Sequence, residues 1–189
     1  MSEINETIQE SLEQAEKSKL NARVALFVAI TATFMALCNV KDGNIVQAMS
    51  QAQAHSIDAW SYFQAKSTKQ AIAENSLTLL KAQKIAGSET LIANYEKEIA
   101  RYETEKNTIK AQALAYQKEY DDINEFDDQF DMTDALLTIA IAMFGITALT
   151  QKKWLLYFAS AVSALGIFLG LAAFMKISLH SDLVSKILG

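Results

Sequence analysis

The chain has 189 residues, a net charge of -5, one cysteine and no proline. Its apolar residues, 51% of the total, are gathered in three blocks instead of being spread at helical spacing, which argues against a water-soluble globule. The lone cysteine, Cys38, excludes an intramolecular disulfide and any multi-cysteine metal site, and no basic cluster interleaved with aromatics marks a nucleic-acid partner.

Residues 1–21 are polar, with Ile4, Ile8, Leu12 and Ala15 at helical spacing. They form either a short amphipathic helix on the cytoplasmic side or a helical extension of the first apolar block. That block is residues 22–40. A secretory signal would begin nearer Met1 and end in small residues, whereas a long polar stretch precedes this block and Leu37-Cys38-Asn39 makes a poor cleavage site. The expectation is a retained transmembrane helix at the short end of what can span.

Residues 44–131 are polar, and their only interior glycine is Gly87. Two arms of roughly 60 and 65 Å at 1.5 Å per residue would meet at a turn near residues 86–88, where Gly87 takes a left-handed conformation and Ser88 caps the next helix. On the second arm Tyr95, Tyr102, Ile109, Tyr116, Ile123 and Phe130 recur at heptad spacing, interleaved with Ile99, Lys106, Ala113, Tyr120 and Asp127. Both series fall on one stripe, the seam of an antiparallel coiled coil. Lys106 and Asp127 break the apolar pattern; exposure is the expectation, because a buried unpaired charge is costly, and register setting is the other reading. On the first arm Ile45, Met49, Ala52, Ile57, Trp60, Phe63, Ala73, Leu77 and Leu80 share a broad apolar face.

Residues 132–150 form the second span, and since nothing between Asp131 and Ala135 breaks a helix, the descending arm continues into it. A cytoplasmic loop, 151–153, leads to a third span, 154–175, and so short a connection makes these two spans antiparallel. The tail, 176–189, carries Ile177, Leu179, Leu183, Ile187 and Leu188, and is expected to lie along the interface. Lys17, Lys19 and Arg23 before the first span and Lys152 and Lys153 in the short loop fall on one side under the positive-inside rule. That side is the cytoplasm, which leaves the hairpin and C-terminus outside.

Several residues invite sharper chemistry. The acids from Glu119 to Asp134 lack the glycine-turn spacing of a calcium loop and read as a solvated face. His55 and His180 stand far apart, so no metal site is expected. Cys38 reads as a buried apolar cysteine, with lipidation the alternative. Gly166 and Gly170 form a GxxxG in the third span, a helix-packing motif that serves either another subunit or the chain's own spans. The spans carry no ionisable residue in their interiors, so ion-coupled transport by a single chain is not expected.

One stretch is distinctive: Ala59-Trp60-Ser61-Tyr62-Phe63-Gln64-Ala65-Lys66-Ser67, followed by Lys69-Gln70. With Tyr95 to Glu103, Phe130-Asp131 and Lys153-Trp154-Leu155, it resembles the bacterial membrane-protein family catalogued as domain of unknown function 4337. The resemblance extends from about Asn21 to Met175 and implies a bacterial membrane protein, without supplying catalytic residues. Read physically, Trp60 and Phe63 anchor the seam, while Gln64 and Lys66 reach across to the other arm. These residues either hold the hairpin together or, with Tyr62 and Ser67 and the tyrosines Tyr95, Tyr102 and Tyr116, form an assembly or partner surface.

The expectation is therefore an all-α integral membrane protein with three transmembrane helices and a long antiparallel coiled-coil hairpin outside the bilayer. It is expected to be non-enzymatic, with no catalytic, cofactor or metal site. It sits in the bacterial inner membrane with a periplasmic hairpin, contacts membrane lipid, self-assembles as a homo-oligomer and acts as a scaffold or tether. Another membrane or periplasmic protein is a further partner class, and the competing function is a pore or an accessory subunit of a transport complex.

Overall fold

The computed structural model describes residues 2–84, 86–177 and 179. It is all-helical: α1 runs Ser2–Gln83, α2 Glu89–Thr150 and α3 Lys153–Phe174. All three are long and apolar enough to cross a membrane. With no proline anywhere, helices stop only where the backbone turns left-handed. Lys84 (φ 47°) and Gly87 (φ 82°) end α1, Gln151 (φ 58°) separates α2 from α3, and Lys176 (φ 57°) closes α3. After Gly87, the Ser88 carbonyl accepts the N–H of Ile92 at 2.9 Å as α2 begins.

The helices run further than the blocks of sequence implied. Of the two readings of the N-terminal segment, the helical extension holds: from Ser2 onward it is the start of α1 and not a separate helix, with Ile8 and Leu12 exposed. The side chain of Ile4 and residues 180–189, which include His180, Leu183, Ile187 and Leu188, lie outside the described part. Gly43 does not interrupt α1, since one glycine costs a helix interior only about 1 kcal/mol. Likewise α2 passes from residue 131 to 135 unbroken.

The chain divides into two compact units, Met1–Val46 with Asn124–Gly189, and Gln47–Ile123. In the first, Leu20 and Val24 of α1, Ala140 and Phe144 of α2, and Leu156 and Ala159 of α3 form one core cluster. Phe27 stacks on Phe144 with centroids 5.7 Å apart. Further along, the buried hydroxyls of Thr31 and Ser163 meet at 2.8 Å, and Thr133 and Thr147 turn theirs back to their own helix carbonyls. Such pairing satisfies polar groups that are buried between the helices. At the far end the buried Gln129 side chain donates to the Leu169 carbonyl (3.0 Å) and accepts the Leu179 N–H (3.1 Å), clamping the end of α3. Gly166 and Gly170 both face the chain's own helices: a Cβ on Gly166 would stand 2.9 Å from Leu137 Cδ2, and one on Gly170 would stand 2.8 Å from Phe34 and 3.0 Å from Thr133.

Candidate functional site

In the second unit, α1 and α2 pair antiparallel, because cross-helix contacts join Ser56 to the Ala113 carbonyl, Lys66 to Glu105, Gln70 to Glu103 and Lys81 to Glu96 in descending register. The heptad positions of α2 within this unit are buried or half-buried: Tyr102, Ile109 and Ala113 fully, and Tyr95, Ile99, Tyr116, Tyr120 and Ile123 in part. On α1, Met49, Ala52 and Ala73 are buried, but Ile57 is 59% exposed and does not join that face. Its neighbour Ser56 turns inward instead.

The distinctive stretch of α1 splits between two faces. Trp60, Phe63, Lys66, Ser67 and Gln70 turn toward α2, while Ser61, Tyr62, Gln64 and Ala65 are exposed. Trp60 and Phe63 meet edge-on at 5.6 Å. Lys66 is tucked in, its side chain 14% exposed, and pairs with Glu105 at 2.5 Å. It also lies over the rings of Tyr62 and Tyr102 at 5.2 and 5.5 Å, where a cation is favoured by the ring face. The Tyr102 hydroxyl donates to Glu98 at 2.8 Å. The Glu105 hydrogen bond holds the Lys66 ammonium above its usual range, and Lys66 in turn holds the Glu105 carboxyl below the ordinary carboxylate value.

A second ionic group sits one turn along. Gln70 donates to Glu74 (2.9 Å) and Glu103 (3.0 Å) and accepts from Lys106 (3.0 Å). Lys106 also approaches Glu103 at 3.4 Å and the Phe63 ring at 5.7 Å. Gln70 and Lys106 together hold Glu103 below its usual range. Lys106, expected in solvent, is thus only 17% exposed, and it tolerates that position because three groups receive it. Asp127, also expected exposed, lies in the other unit with its Oδ1 buried.

Of the residues singled out from sequence, Trp60, Phe63, Lys66 and Tyr102 come together; the Tyr116 ring lies tilted against His55 with centroids 5.2 Å apart, and Tyr95 is half-buried. Gln64, expected to reach across, is exposed, and Gln70 makes that crossing. Sequence reasoning missed Gln70 and Glu105 as partners. The signal was there in the spacing, since Gln70 comes four residues after Lys66 and so shares its face. Among the described residues no three His, Cys, Asp or Glu side chains are grouped as a metal site, the acidic run of α2 included.

Lys66→Met is expected to lower the melting temperature of the chain clearly more than Lys118→Met, because it leaves the buried Oε2 of Glu105 without a partner while Arg101 reaches only Oε1, whereas Lys118 is 78% exposed. Equal shifts in a thermal melt followed by circular dichroism would show that the Lys66 pair contributes nothing.

The architecture defines a class: an all-helical chain with three membrane-length helices, one pair of which carries a charged, tyrosine-lined contact seam. Within that class the chain belongs to the family described as a domain of unknown function, DUF4337, whose model matches residues 20–176. No curated protein and no solved structure matches it.

Proposed function

We propose that this is a non-enzymatic protein of the bacterial inner membrane. In this reading α1, α2 and α3 span the bilayer at residues 22–40, 132–150 and 154–175, and the coiled-coil hairpin between them stands in the periplasm and assembles with its own copies as a scaffold or tether. What supports the orientation is that both basic regions lie at one end of the three-helix unit: Gln151 donates to Asn21 at 2.9 Å and Lys153 pairs with Glu16 at 3.4 Å. What supports a structural role is that the inward polar side chains of the distinctive stretch, Lys66 and Gln70, are committed to residues of α2, in the Lys66–Glu105 and Gln70–Lys106 groups.

The observation that carries self-assembly is the outward face of α1. Within residues 47–123, the α1 arm has five charged residues (Asp58, Lys66, Lys69, Glu74 and Lys81), whereas the α2 arm has thirteen. Opposite α2, positions 50, 54, 57, 61, 64, 68, 72, 75 and 79 succeed one another in steps of three and four; all are exposed and none is charged. Ile57, Ile72 and Leu79 are its large apolar members, each about 60% exposed. Ser50, Ala54 and Ser61 permit close approach, while Gln64, Thr68 and Asn75 are polar without charge. Copies inserted in one membrane with one orientation bring these arms together in parallel, so each stripe residue meets its own equivalent. A charge would then meet its like, whereas an amide both donates and accepts and pairs with itself. An uncharged stripe suits that geometry, and it is longer than scattered surface hydrophobics explain.

The test is the protein mass of complexes extracted from the native membrane into lipid nanodiscs. A discrete multiple of the 20.9 kDa chain is expected, falling to a single chain in an Ile57→Glu/Ile72→Glu variant that retains its helical circular dichroism. A single chain in the unaltered protein would overturn self-assembly.

A further inference from the structure

The basic end of the three-helix unit contains a crevice of about 130 Å³ between α1 and α3, lined by Glu16, Lys19, Leu20, Arg23, Lys153 and Tyr157 with Leu156. Its construction is regular. Lys19 and Arg23 are four residues apart on α1, and Lys153 and Tyr157 four apart on α3, so each helix presents two successive polar groups on one face. Leu20 and Leu156, both 6% exposed, form an apolar floor that keeps the cations on the surface. Three cations face one acid. Glu16 reaches Lys153 at 3.4 Å across a well-exposed gap, and among the described residues Lys19 and Arg23 have no carboxylate partner. The Arg23 guanidinium offers a planar fork of donors suited to two oxygens of one phosphate.

We propose that this crevice binds a phosphate-bearing anion, supplied by the headgroup of an anionic phospholipid. The proposal rests on the membrane-anchored reading above. On that reading the crevice lies where the first and third spans begin, at headgroup level, beside the exposed aromatic rings of Trp154 and Tyr157. The remaining cation of the loop, Lys152, does not line the crevice, which makes it a charge-matched comparison.

The experiment uses the full chain in nanodiscs of phosphatidylcholine, titrated with phosphatidylglycerol and, separately, with inorganic phosphate, counting bound lipid by native mass spectrometry and tracking the thermal midpoint. The unaltered chain is expected to retain a discrete number of phosphatidylglycerol molecules. Arg23→Gln is expected to weaken retention about fivefold or more, the loss of one interfacial cation, and Lys152→Gln by less than about twofold. Stabilisation by millimolar inorganic phosphate that phosphatidylglycerol does not match would assign the same site to a soluble phosphate and overturn the lipid assignment. Equal losses in the two variants, or no preference for either anion, would reduce the crevice to diffuse surface charge and overturn the proposal. A chain that incorporates into nanodiscs and fails this test leaves the membrane reading standing, whereas one recovered in the soluble fraction sinks that reading itself.

Discussion

Gly166→Leu is expected to destabilise the three-helix unit by about 3 kcal/mol, near the upper end for overpacking. A Cβ at this position stands 2.9 Å from Leu137 Cδ2, 3.1 Å from its Cγ and 3.2 Å from Leu136 Cβ. Leu137 is fully buried and Leu136 Cβ is fixed to its backbone, so α3 must move away from α2. Even Gly166→Ala should cost about 1 kcal/mol. Gly170→Ala should cost about as much: the half-buried Phe34 ring at 2.8 Å can swing, but Thr133, fully buried and held by its hydrogen bond to the Gln129 carbonyl, stands 3.0 Å away. Gly145 has nothing within 4 Å of a built Cβ, and there alanine should be neutral or stabilise by up to about 1 kcal/mol through helix propensity. Equilibrium unfolding in nanodiscs, monitored by tryptophan fluorescence, orders the four variants. If Gly166→Leu matched Gly145→Ala, the close packing of α3 on α2 would be wrong.

The second large effect is one of pH. Asp42 of α1 and Asp127 of α2 face each other, each with a buried Oδ1 to which no N–H donates. A hydrogen bond between them requires that one carry a proton. Burial first, and then the negative charges of Asp42 and Asp131, push the Asp127 carboxyl up to about 6 from the ordinary 3.8. Burial, then the charge of Asp131, raises Asp42 as well. The other charges facing the pair are also acidic, Asp134 and Asp128, and Asn39 can turn its amide to donate to Asp134. Lys176, the charged residue at the near end of α3, is exposed.

A carboxyl whose folded pKa is raised binds its proton more tightly in the fold than in the unfolded chain. Its stabilisation is complete below the unfolded value and is lost as pH rises through about 6. Asp127→Asn, which imitates the protonated partner, should therefore match the unaltered chain at about pH 4 and exceed it at about pH 7.5 by roughly 1 kcal/mol, the partial exposure of the site having been allowed for. Asp121→Asn, on the exposed side of the same helix, should show no such divergence. Parallel stability profiles for Asp127→Asn and the unaltered chain between those pH values would refute the shared proton.

Residue pattern and structure meet most closely on α2. Tyr102, Ile109 and Ala113 occupy the buried seam that their heptad spacing calls for, because a helical repeat of apolar residues has only one face on which to bury itself. The charged members of that seam were not legible. Whether Lys106 lies in water or inside depends on Gln70, Glu103 and Phe63, and these meet it only through the register of two helices joined at a distant turn. Ile57 shows the converse: a run rich in alanine has no strong apolar face, so its rotation is decided by what α2 offers, and Ile57 ends outside.

By itself, the sequence determined that the chain is helical, that it has three membrane-length apolar stretches, that the long polar stretch breaks near Gly87, and that its family is the one resembled. Those are properties of local propensity, length and spacing, which each segment carries alone. Only the tertiary structure decided which side chain receives which. It directed Gly166 and Gly170 onto the chain's own helices, joined Asp42 to Asp127 across 85 residues of chain, and brought Arg23 and Lys153 to one crevice. Contacts between distant segments depend on rotation about each helix axis and on relative height, and no local pattern encodes either.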